Sequence, residues 1–259
     1  MPNPRLIQKA RQWMNPECPE IREIKTPELL SLNISANINK GDYLQIPGTN
    51  QIISKFEILG YNNLNWNDTH FKLAENSLYM PTPRIFMSHF VNVVDAYKNK
   101  KPLFDSQGND ISRKEVEDIY KHLTINHIAA YQSQGGSQKG AWTWLDALFT
   151  EQNGQWFIET EHRVVNGNLA GKKEKLEQCL RENCFVELEF NKQGLATKKS
   201  NNQKYRQGEN IYFRHPRNNF VAGFGACDGR AGFSCDRYPS SWDSGLGVFA
   251  CTQSSQRNS

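Results

Sequence analysis

The sequence predicts an α+β fold, because a central part with helical periodicity lies between two parts in which strand patterns dominate. The helical periodicity runs from Pro83 to Leu123. On both sides of it, short runs of β-branched and aromatic residues alternate with Gly, Asn and Pro, which is typical of strands joined by turns. A chain of 259 residues can bury a sizeable core, and it has room for one large domain or two modest ones.

Residues 1–79 are predicted to form a β-rich accessory region. The segments K-G-D-Y-L-Q-I-P-G and Q-I-I-S-K-F-E-I-L-G-Y are rich in strand formers and bounded by glycines, so they predict β-hairpins. Two prolines, Pro81 and Pro83, punctuate the chain just after this region. The predicted division is therefore an accessory region over residues 1–79 and a second domain over residues 80–259.

Two amphipathic helices are predicted in the central part. The first has Thr82 as its N-cap and Pro83 at its first helical position, followed by apolar residues on one helical face. The second begins at Ser112, whose spacing from Glu115 is that of a capping box. His89 lies within the apolar stripe of the first helix. It is therefore predicted to be a packed, hydrogen-bonded histidine rather than a ligand.

Strands dominate again after a polar loop, Q-S-Q-G-G-S-Q-K-G, that is predicted to be flexible. Two alternating segments, A-W-T-W-L-D-A-L-F-T and Q-W-F-I-E-T-E-H-R-V-V, are joined by Asn153 and Gly154 and predict a hairpin. The next segment, G-K-K-E-K-L-E-Q-C-L, predicts a short helix with Cys179 as a small core residue. Further strands are predicted over C-F-V-E-L-E-F, E-N-I-Y-F-R-H-P, N-F-V-A-G-F-G-A and S-G-L-G-V-F-A-C-T.

Composition and charge argue against several classes of partner. The net charge is only +4 and no long Lys/Arg run is present, so a nucleic-acid partner is not expected. No run approaches the roughly 18 apolar residues that a membrane span needs. The N-terminal residues lack the apolar segment of a secretory signal, so synthesis in the cytoplasm is expected. Whether the protein acts on a virion or a cell surface stays open, as does its oligomeric state.

The sequence predicts no catalytic set, no cofactor and no metal site. Phosphate-binding, dinucleotide-binding and zinc-protease motifs are all missing from it. The string N-W-N-D at residues 65–68 contains a Trp-Asn-Asp triplet found in calcium-dependent C-type lectins. The carbonyl-rich loop that would complete the oxygen ligands of calcium is missing, so a polar turn is predicted.

Six cysteines are too sparse for a disulfide framework and lack C-x-x-C zinc spacing, so free thiols are the default interpretation. Catalysis by a thiol would need a neighbouring base, for which His215 is the nearest candidate. The cysteines are Cys18, Cys179, Cys184, Cys227, Cys235 and Cys251.

The stretch from Asn219 to Thr252 predicts a binding surface. Small and apolar residues recur in it at intervals, and between them lie Tyr, Trp, Arg, Ser, Gly and Asp, the composition of a paratope. The expected anchors are Arg230, Arg237, Tyr238 and Trp242, because these residue types dominate binding hot spots.

Several motifs in the second domain resemble one family. The order V-A-x-F-x-A, then A-G-F-x-C-x-x-x-P, then L-G-V-F-A is similar to the C-terminal variable region of target proteins of archaeal diversity-generating retroelements. The upstream segments M-P-T-P-R-x-F-M, W-L-D-A-L-F and Q-G-L-A-T resemble the same group, which includes proteins of small-genome archaea and their viruses. The resemblance covers roughly residues 79–251.

This resemblance implies a C-type lectin fold of the formylglycine-generating-enzyme type, with a ligand-binding surface on its last strands. In such proteins a reverse transcriptase rewrites codons at adenines, and a fixed backbone tolerates the changes. Relatives usually end the last strand with L-G-V-R, whereas this chain has Phe249 at the Arg position, so no salt bridge is expected there. The implied scaffold positions are Val221, Phe224, Ala226, Ala231, Cys235, Pro239, Leu246, Gly247 and Val248. The implied displayed positions are Gly225, Cys227, Gly229, Arg230, Phe233, Ser234, Asp236, Arg237, Tyr238, Ser240, Ser241, Trp242, Asp243 and Ser244.

The expected function is therefore that of a non-enzymatic binding protein whose partner is an unidentified protein or cell-surface ligand. Two alternatives remain at this point. One is a thiol enzyme of the formylglycine-generating type that uses two of its C-terminal cysteines. The other is a viral structural or attachment protein.

Overall fold

The described part of the chain contains three α-helices, one short 3-10 helix (Lys40–Asp42) and ten strands, and it is α+β as predicted. The computed structural model describes residues 39–125, 141–227, 229–242 and 245–254, with only the backbone at Lys40 and Cys227. The loop predicted to be flexible, and residues 1–38 of the predicted accessory region, lie outside these ranges. The helices are α1 (Trp66–Glu75), α2 (Pro83–Lys98) and α3 (Arg113–Thr124). The strands are β1 (Tyr43–Gln45), β2 (Gln51–Ser54), β3 (Trp142–Gln152), β4 (Gln155–Val165), β5 (Asn168–Lys175), β6 (Cys184–Glu187), β7 (Asn210–Arg214), β8 (Phe220–Cys227), β9 (Arg230–Arg237) and β10 (Cys251–Gln253).

The strands form one large and one small sheet. The large sheet has seven strands in the order β5-β4-β3-β8-β9-β7-β6, and the small sheet has the order β1-β2-β10. All neighbours in the large sheet are antiparallel except β7 and β9, which run parallel. The β8–β9 hairpin from the C-terminal part of the chain therefore lies inside the sheet, between β3 and β7.

The boundary predicted between residues 79 and 80 needs correction. Strand β2, from the predicted accessory region, pairs with β10 near the C-terminus, with Ile53 opposite Cys251. Leu44 and Ile53 are fully buried in the same hydrophobic cluster as Phe86 of α2. Residues 43–79 therefore belong to the same folded body as the C-terminal strands, because neither part can bury its apolar side chains without the other.

The starts of α2 and α3 are confirmed by their caps. The Thr82 hydroxyl accepts a hydrogen bond from the backbone N–H of Ile85 at 3.3 Å. The Ser112 hydroxyl accepts one from the N–H of Glu115 at 3.2 Å. Each bond satisfies one of the backbone donors that the first turn of a helix leaves unpaired.

The predicted polar turn at residues 65–68 is wrong, since these residues start α1. The side chain of Asn65 accepts a hydrogen bond from the N–H of Asp68 at 2.9 Å, which makes Asn65 an N-cap. Trp66 is only 2% exposed, and its indole N–H donates to the carbonyl of Leu145 at 2.9 Å. The polar letters around Trp66 are therefore cap and first-turn residues of a helix whose tryptophan enters the core.

The predicted short helix over residues 171–180 is also wrong, because residues 168–175 form strand β5. Asn166 and Gly167 have φ angles of 50° and 76°, which is the left-handed geometry of a two-residue hairpin turn. They join β4 to β5 with Val165 opposite Asn168. The second Asn-Gly pair therefore forms a hairpin turn, as the first pair does at Asn153 and Gly154.

Apolar layers cover both faces of the large sheet near β3 and β8. On one face, the rings of Phe86 and Phe90 in α2 lie 4.9 Å and 5.4 Å from the ring of Phe224. On the other face, Trp144 and Val221 share a buried cluster with residues of α1 and of the 246–250 segment. The outer end of β8 and β9 is less covered, which leaves part of this second face half-exposed.

A buried carboxylate joins three of these parts. Glu57 is 6% exposed, and it accepts a hydrogen bond from the backbone N–H of Trp142 at 2.7 Å. Its second oxygen lies 2.6 Å from Nε2 of His122 in α3. The segment before α1, strand β3 and helix α3 are therefore held together by one polar group inside the apolar core.

His89 is packed in the core, as predicted, at 1% exposure against Phe86 and Phe249. The predicted hydrogen bond is missing at Nε2, which has no partner among the described residues. Burial lowers the pKa of His89 to about 4, so its ring is neutral in the folded protein at neutral pH.

We expect the substitution His89→Leu to flatten the acid limb of the stability profile. In the unfolded chain His89 binds its proton below about pH 6.5, whereas the folded protein accepts it only near pH 4, so stability is lost as the pH falls between these values. The free energy of unfolding of the wild type should therefore drop by about 3 kcal/mol more than that of the variant between pH 7 and pH 4. Urea unfolding at several pH values measures this. Replacement of the less buried His215 is the control, and parallel profiles for wild type and His89→Leu would refute the assignment.

Candidate functional site

The residues implied as scaffold at the C-terminal end are buried with one exception, some on the α2 side of the large sheet and others on the α1 side. Strand alternation sends every second side chain of β8 and β9 into the core. Pro239 is the exception, being half-buried. The buried scaffold residues are Val221, Phe224, Ala226, Ala231, Cys235, Leu246, Gly247 and Val248.

Most of the residues implied as displayed reach the surface to some degree. Tyr238 is 63% exposed and Trp242 is 73% exposed. The side chains of Cys227, Asp243 and Ser244 lie outside the described part. Three more of these residues are exposed, namely Gly229, Arg230 and Ser240. Five are half-buried, namely Gly225, Ser234, Asp236, Arg237 and Ser241.

Phe233 is a correction, because it is a core residue and not a displayed one. Its exposed fraction is 0%, and its ring lies 5.6 Å from the ring of Phe213 in β7. In the register of β8 and β9 it stands opposite Phe224, which faces the helices. The period of two along β9 places Phe233 on the same side as Ala231 and Cys235. The strand alternation alone therefore predicts that Phe233 is buried.

The four predicted anchors do not form a single cluster. Arg230 is the first residue of β9, next to the turn from β8, whereas Tyr238 follows the last residue of this strand. At about 3.3 Å per residue, their backbones lie about 25 Å apart. No single compact patch therefore contains all four residues.

A row of residues crosses this outer face from strand to strand. Trp142 of β3 stands opposite Gly225 of β8, Gly225 opposite Gly232 of β9, and Gly232 beside Tyr212 of β7. The two central residues lack side chains, and we call the space over them, between the two aromatic residues, the trough. We refer to this row, together with Ser234, Arg230 and Arg237, as the sheet-face strip.

Each aromatic side chain of the strip is in contact with the guanidinium group of an arginine. The guanidinium of Arg237 lies 5.3 Å from the ring centre of Trp142, and that of Arg230 lies 5.0 Å from the ring of Tyr212. Arginine stacked on an aromatic face in this way is a favourable cation–π contact. The trough is therefore flanked on both sides by an aromatic and arginine pair.

Gly223 explains how Arg237 reaches its position. A Cβ atom at residue 223 would lie 2.6 Å from Cδ of Arg237, so the arginine stem crosses directly over the glycine. The register between β8 and β9 shifts between Val221 and Gly223, which marks a bulge. The missing side chain and the bulge together direct Arg237 across β8 towards Trp142.

A second aromatic group lies beyond the end of β9. The ring of Tyr238 lies 4.5 Å from the ring of Phe220. Trp242 follows in a turn, in which the N–H of Ser241 donates to the carbonyl of Tyr238 at 3.0 Å. Phe220 stands opposite Phe149, which is buried against the helices α2 and α3, so Tyr238 and its neighbour Trp242 are a separate exposed group and not part of the sheet-face strip.

Sequence reasoning missed Trp142 and Tyr212. The sequence places Trp142 and Tyr212 in strand patterns without indicating that they lie at the surface. The available signal is that both residues fall on the period of their strands that faces away from α2 and α3. Which strands become neighbours of β8 and β9 was not visible in the pattern.

A second group of polar residues converges inside the protein. His70 of α1, Asp146 of β3 and His162 of β4 bring their side-chain nitrogen and oxygen atoms within 4.8 Å of one another. Burial lowers the pKa of His70, although Asp146 opposes this shift. Burial also acts to lower the pKa of His162, but its hydrogen bonds to Asp146 and Glu159 outweigh burial and raise that pKa. The sequence predicts no such group.

The C-terminal thiols that are described lie deep in the core. Cys235 and Cys251 are both 0% exposed, and burial raises the pKa of each thiol above its ordinary value. His215, the base considered for thiol chemistry, is bonded through Nδ1 to the side chain of Asn183 at 2.8 Å. These two thiols are protonated at neutral pH and are shielded from solvent.

Comparison with known proteins finds no matching family model, no matching curated sequence and no matching solved structure. Within the described ranges, no helix combines the length and apolar character that crossing a membrane requires.

We expect alanine substitutions to separate displayed residues from core residues. Phe233→Ala should lower the free energy of unfolding by about 3–5 kcal/mol, since it leaves a cavity between β9 and the helices. Tyr238→Ala and Trp242→Ala should each cost less than about 1 kcal/mol, because most of each side chain already contacts water. Chemical denaturation measures all three. A cost for Trp242→Ala as large as that for Phe233→Ala would contradict the exposed placement.

Proposed function

We propose that the protein is a non-enzymatic binding protein whose ligand, a protein or a cell-surface molecule, lies along the sheet-face strip. The observation that carries this proposal is the glycine trough of Gly225 and Gly232 between two aromatic residues, each paired with an arginine. Tyr, Trp and Arg are the residue types that dominate binding hot spots. Two adjacent glycines let a ligand approach the backbone between them.

The strip is suited to variation as well as to binding. Its outward side chains stand on strands whose inward side chains are packed in the core, as at Ala231 and Cys235. An outward substitution therefore leaves the packed side of the same strand unchanged. Arg237 and Gly223 are exceptions, because a side chain at residue 223 would collide with the arginine stem.

We further propose the finer fold type and family, namely a C-type lectin fold of the formylglycine-generating-enzyme type and a variable protein of an archaeal retroelement. The support for this proposal is the motif resemblance, together with the half-exposed face that the last strands carry. The buried placement of the implied scaffold residues agrees with it, although Phe233 does not follow the implied display pattern.

The thiol-enzyme alternative has less support. It needs two C-terminal cysteines near a peptide-binding groove, whereas Cys235 and Cys251 are fully buried with raised thiol pKa values. A substrate would have to open the core to reach either sulfur. Binding by the outer face needs no such rearrangement.

The binding proposal predicts that peptides selected from a phage-displayed random library on the wild-type protein will recognise the strip. Binding of the selected peptides should fall at least about tenfold in Arg230→Ala and in Tyr212→Ala, as expected when a hot-spot side chain is removed. The matched control is Phe104→Ala, which removes an aromatic side chain of 41% exposure from a turn outside the strip. Equal losses in the control variant, or unchanged binding in both strip variants, would refute the location of the site.

The family proposal predicts a particular genomic setting. The DNA next to the coding sequence should contain a reverse-transcriptase gene and a near-copy of the codons for residues 219–252 that differs only at adenines. Sequencing of the flanking DNA checks this. If both features are missing, the retroelement assignment fails, while the binding proposal is still decided by the peptide experiment.

A further inference from the structure

The most unusual group of side chains outside the sheet-face strip is buried between α1 and the large sheet. His70, Asp146 and His162 are 4%, 0% and 4% exposed. Burying a carboxylate and two imidazoles costs free energy unless their polar atoms are satisfied by one another or by a bound ion. An interaction that offsets the cost of burying these three side chains is therefore expected.

The two histidines converge on the same oxygen of the carboxylate. Nδ1 of His162 lies 2.5 Å from Oδ1 of Asp146, and Nε2 of His70 lies 3.7 Å from the same atom. The second oxygen, Oδ2, accepts a hydrogen bond from the backbone N–H of His162 at 2.9 Å. Asp146 is thereby oriented from one side, while both rings face its other oxygen.

One of these ring nitrogens has no hydrogen bond. Nε2 of His70 is buried, and no described residue lies within hydrogen-bond distance of it. The indole ring of Trp66 lies edge-on against both histidine rings, with centres 4.4 Å and 4.9 Å away, so it closes the group from the side of α1. A buried nitrogen aimed at a carboxylate, yet too far away to bond it, is an unused ligand position.

We propose that His70, Asp146 and His162 bind a zinc ion that links α1 to strands β3 and β4. Zinc sites in proteins use neutral histidine nitrogens and carboxylate oxygens, with bond lengths of about 2.0–2.2 Å. Two ligands of one four-coordinate ion then lie about 3.3 Å apart. The separations of 2.5 Å and 3.7 Å from Oδ1 lie on either side of this value, so small ring rotations bring the three atoms to a common centre.

The surroundings of His162 match those of a metal-binding histidine. Such a histidine usually donates its second ring N–H to a carboxylate or carbonyl, which fixes the orientation of the ring. In this protein Nε2 of His162 lies 3.3 Å from Oε1 of Glu159, while Nδ1 faces the centre of the group. Gly171 of β5 leaves the space for the ring, because a Cβ there would lie 2.5 Å from Nε2.

The local backbone is also shaped for this arrangement. Glu161, next to His162, has a φ angle of 57°, which is uncommon for a residue with a side chain. It falls where the register between β4 and β5 shifts, between Thr160 and Arg163. The bulge turns His162 inward, so the strand accepts local strain at the residue that presents this ring.

The site is structural in its consequence, because its residues are enclosed. An ion held there adds a bond between helix α1 and the paired strands β3 and β4, beside the hydrogen bond from the Trp66 indole to the carbonyl of Leu145. Its binding free energy therefore adds to the stability of the folded state, since the unfolded chain has no preformed site.

The test is to refold the full-length protein with excess Zn²⁺, or with Co²⁺ as a spectroscopic probe, and to measure bound metal after gel filtration. We expect about one equivalent of either ion and, at a zinc concentration of about 100 times the dissociation constant, a melting temperature about 5–10 °C higher than with chelator. His70→Gln should abolish metal binding. His89→Leu, which changes another buried histidine, should retain it.

Two results would overturn the proposal. One is wild-type protein that retains no cobalt or zinc after refolding in their presence. The other is a folded His70→Gln variant that binds the ion as the wild type does. If the variant does not fold, X-ray absorption of the zinc-loaded wild type decides, because nitrogen and oxygen ligands support the site and sulfur ligands place the ion at cysteines instead.

Discussion

The antiparallel pairing of β3 with β8 is the interaction on which the described structure depends. It joins the β3-β4-β5 meander to the strands of the C-terminal half in one sheet. The same two strands supply side chains to both apolar layers. Phe224 packs on the side of α2, and Trp144 packs on the side of α1. Because β8 lies between β3 and β9, its glycines are part of a hydrogen-bonded sheet, and the outer face is formed by strands rather than by loops.

Two buried carboxylates accept backbone hydrogen bonds near β3. Glu57 accepts the N–H of Trp142 at the start of β3, and Asp146 accepts the N–H of His162 from β4. Both groups orient a backbone segment that apolar packing alone would leave free to slide. Polar groups fix direction in this protein, whereas the aromatic layers supply most of the buried area.

The sequence predicted those elements whose signals are local. Thr82 and Ser112 mark helix starts through caps, and the Asn153-Gly154 turn marks a hairpin through its dihedral preference. The sequence does not predict helix α1, because its apolar residues are few and Trp66 stands in a polar string. It predicts a helix at strand β5 because Lys and Glu are good helix formers, and pairing with β4 overrides that preference.

The candidate site was predictable only in part. The chain could show that Tyr238 and Trp242 are contact-forming residues, but not that Trp142 and Tyr212 stand beside Gly225 and Gly232, because strand order is a non-local property. The group of His70, Asp146 and His162 is not predictable for the same reason, because the fold brings together residues that are far apart in sequence.

The bond between the N–H of Ala250 and the hydroxyl of Ser54 joins residues 196 positions apart. During synthesis, strand β2 therefore cannot pair with β10 until β10 has left the ribosome. Contacts of such long range slow folding, and they leave the edge of β2 unprotected for as long as translation continues. A chain interrupted within the proposed variable stretch would lack this closing contact, so an incomplete copy would be left open to proteases.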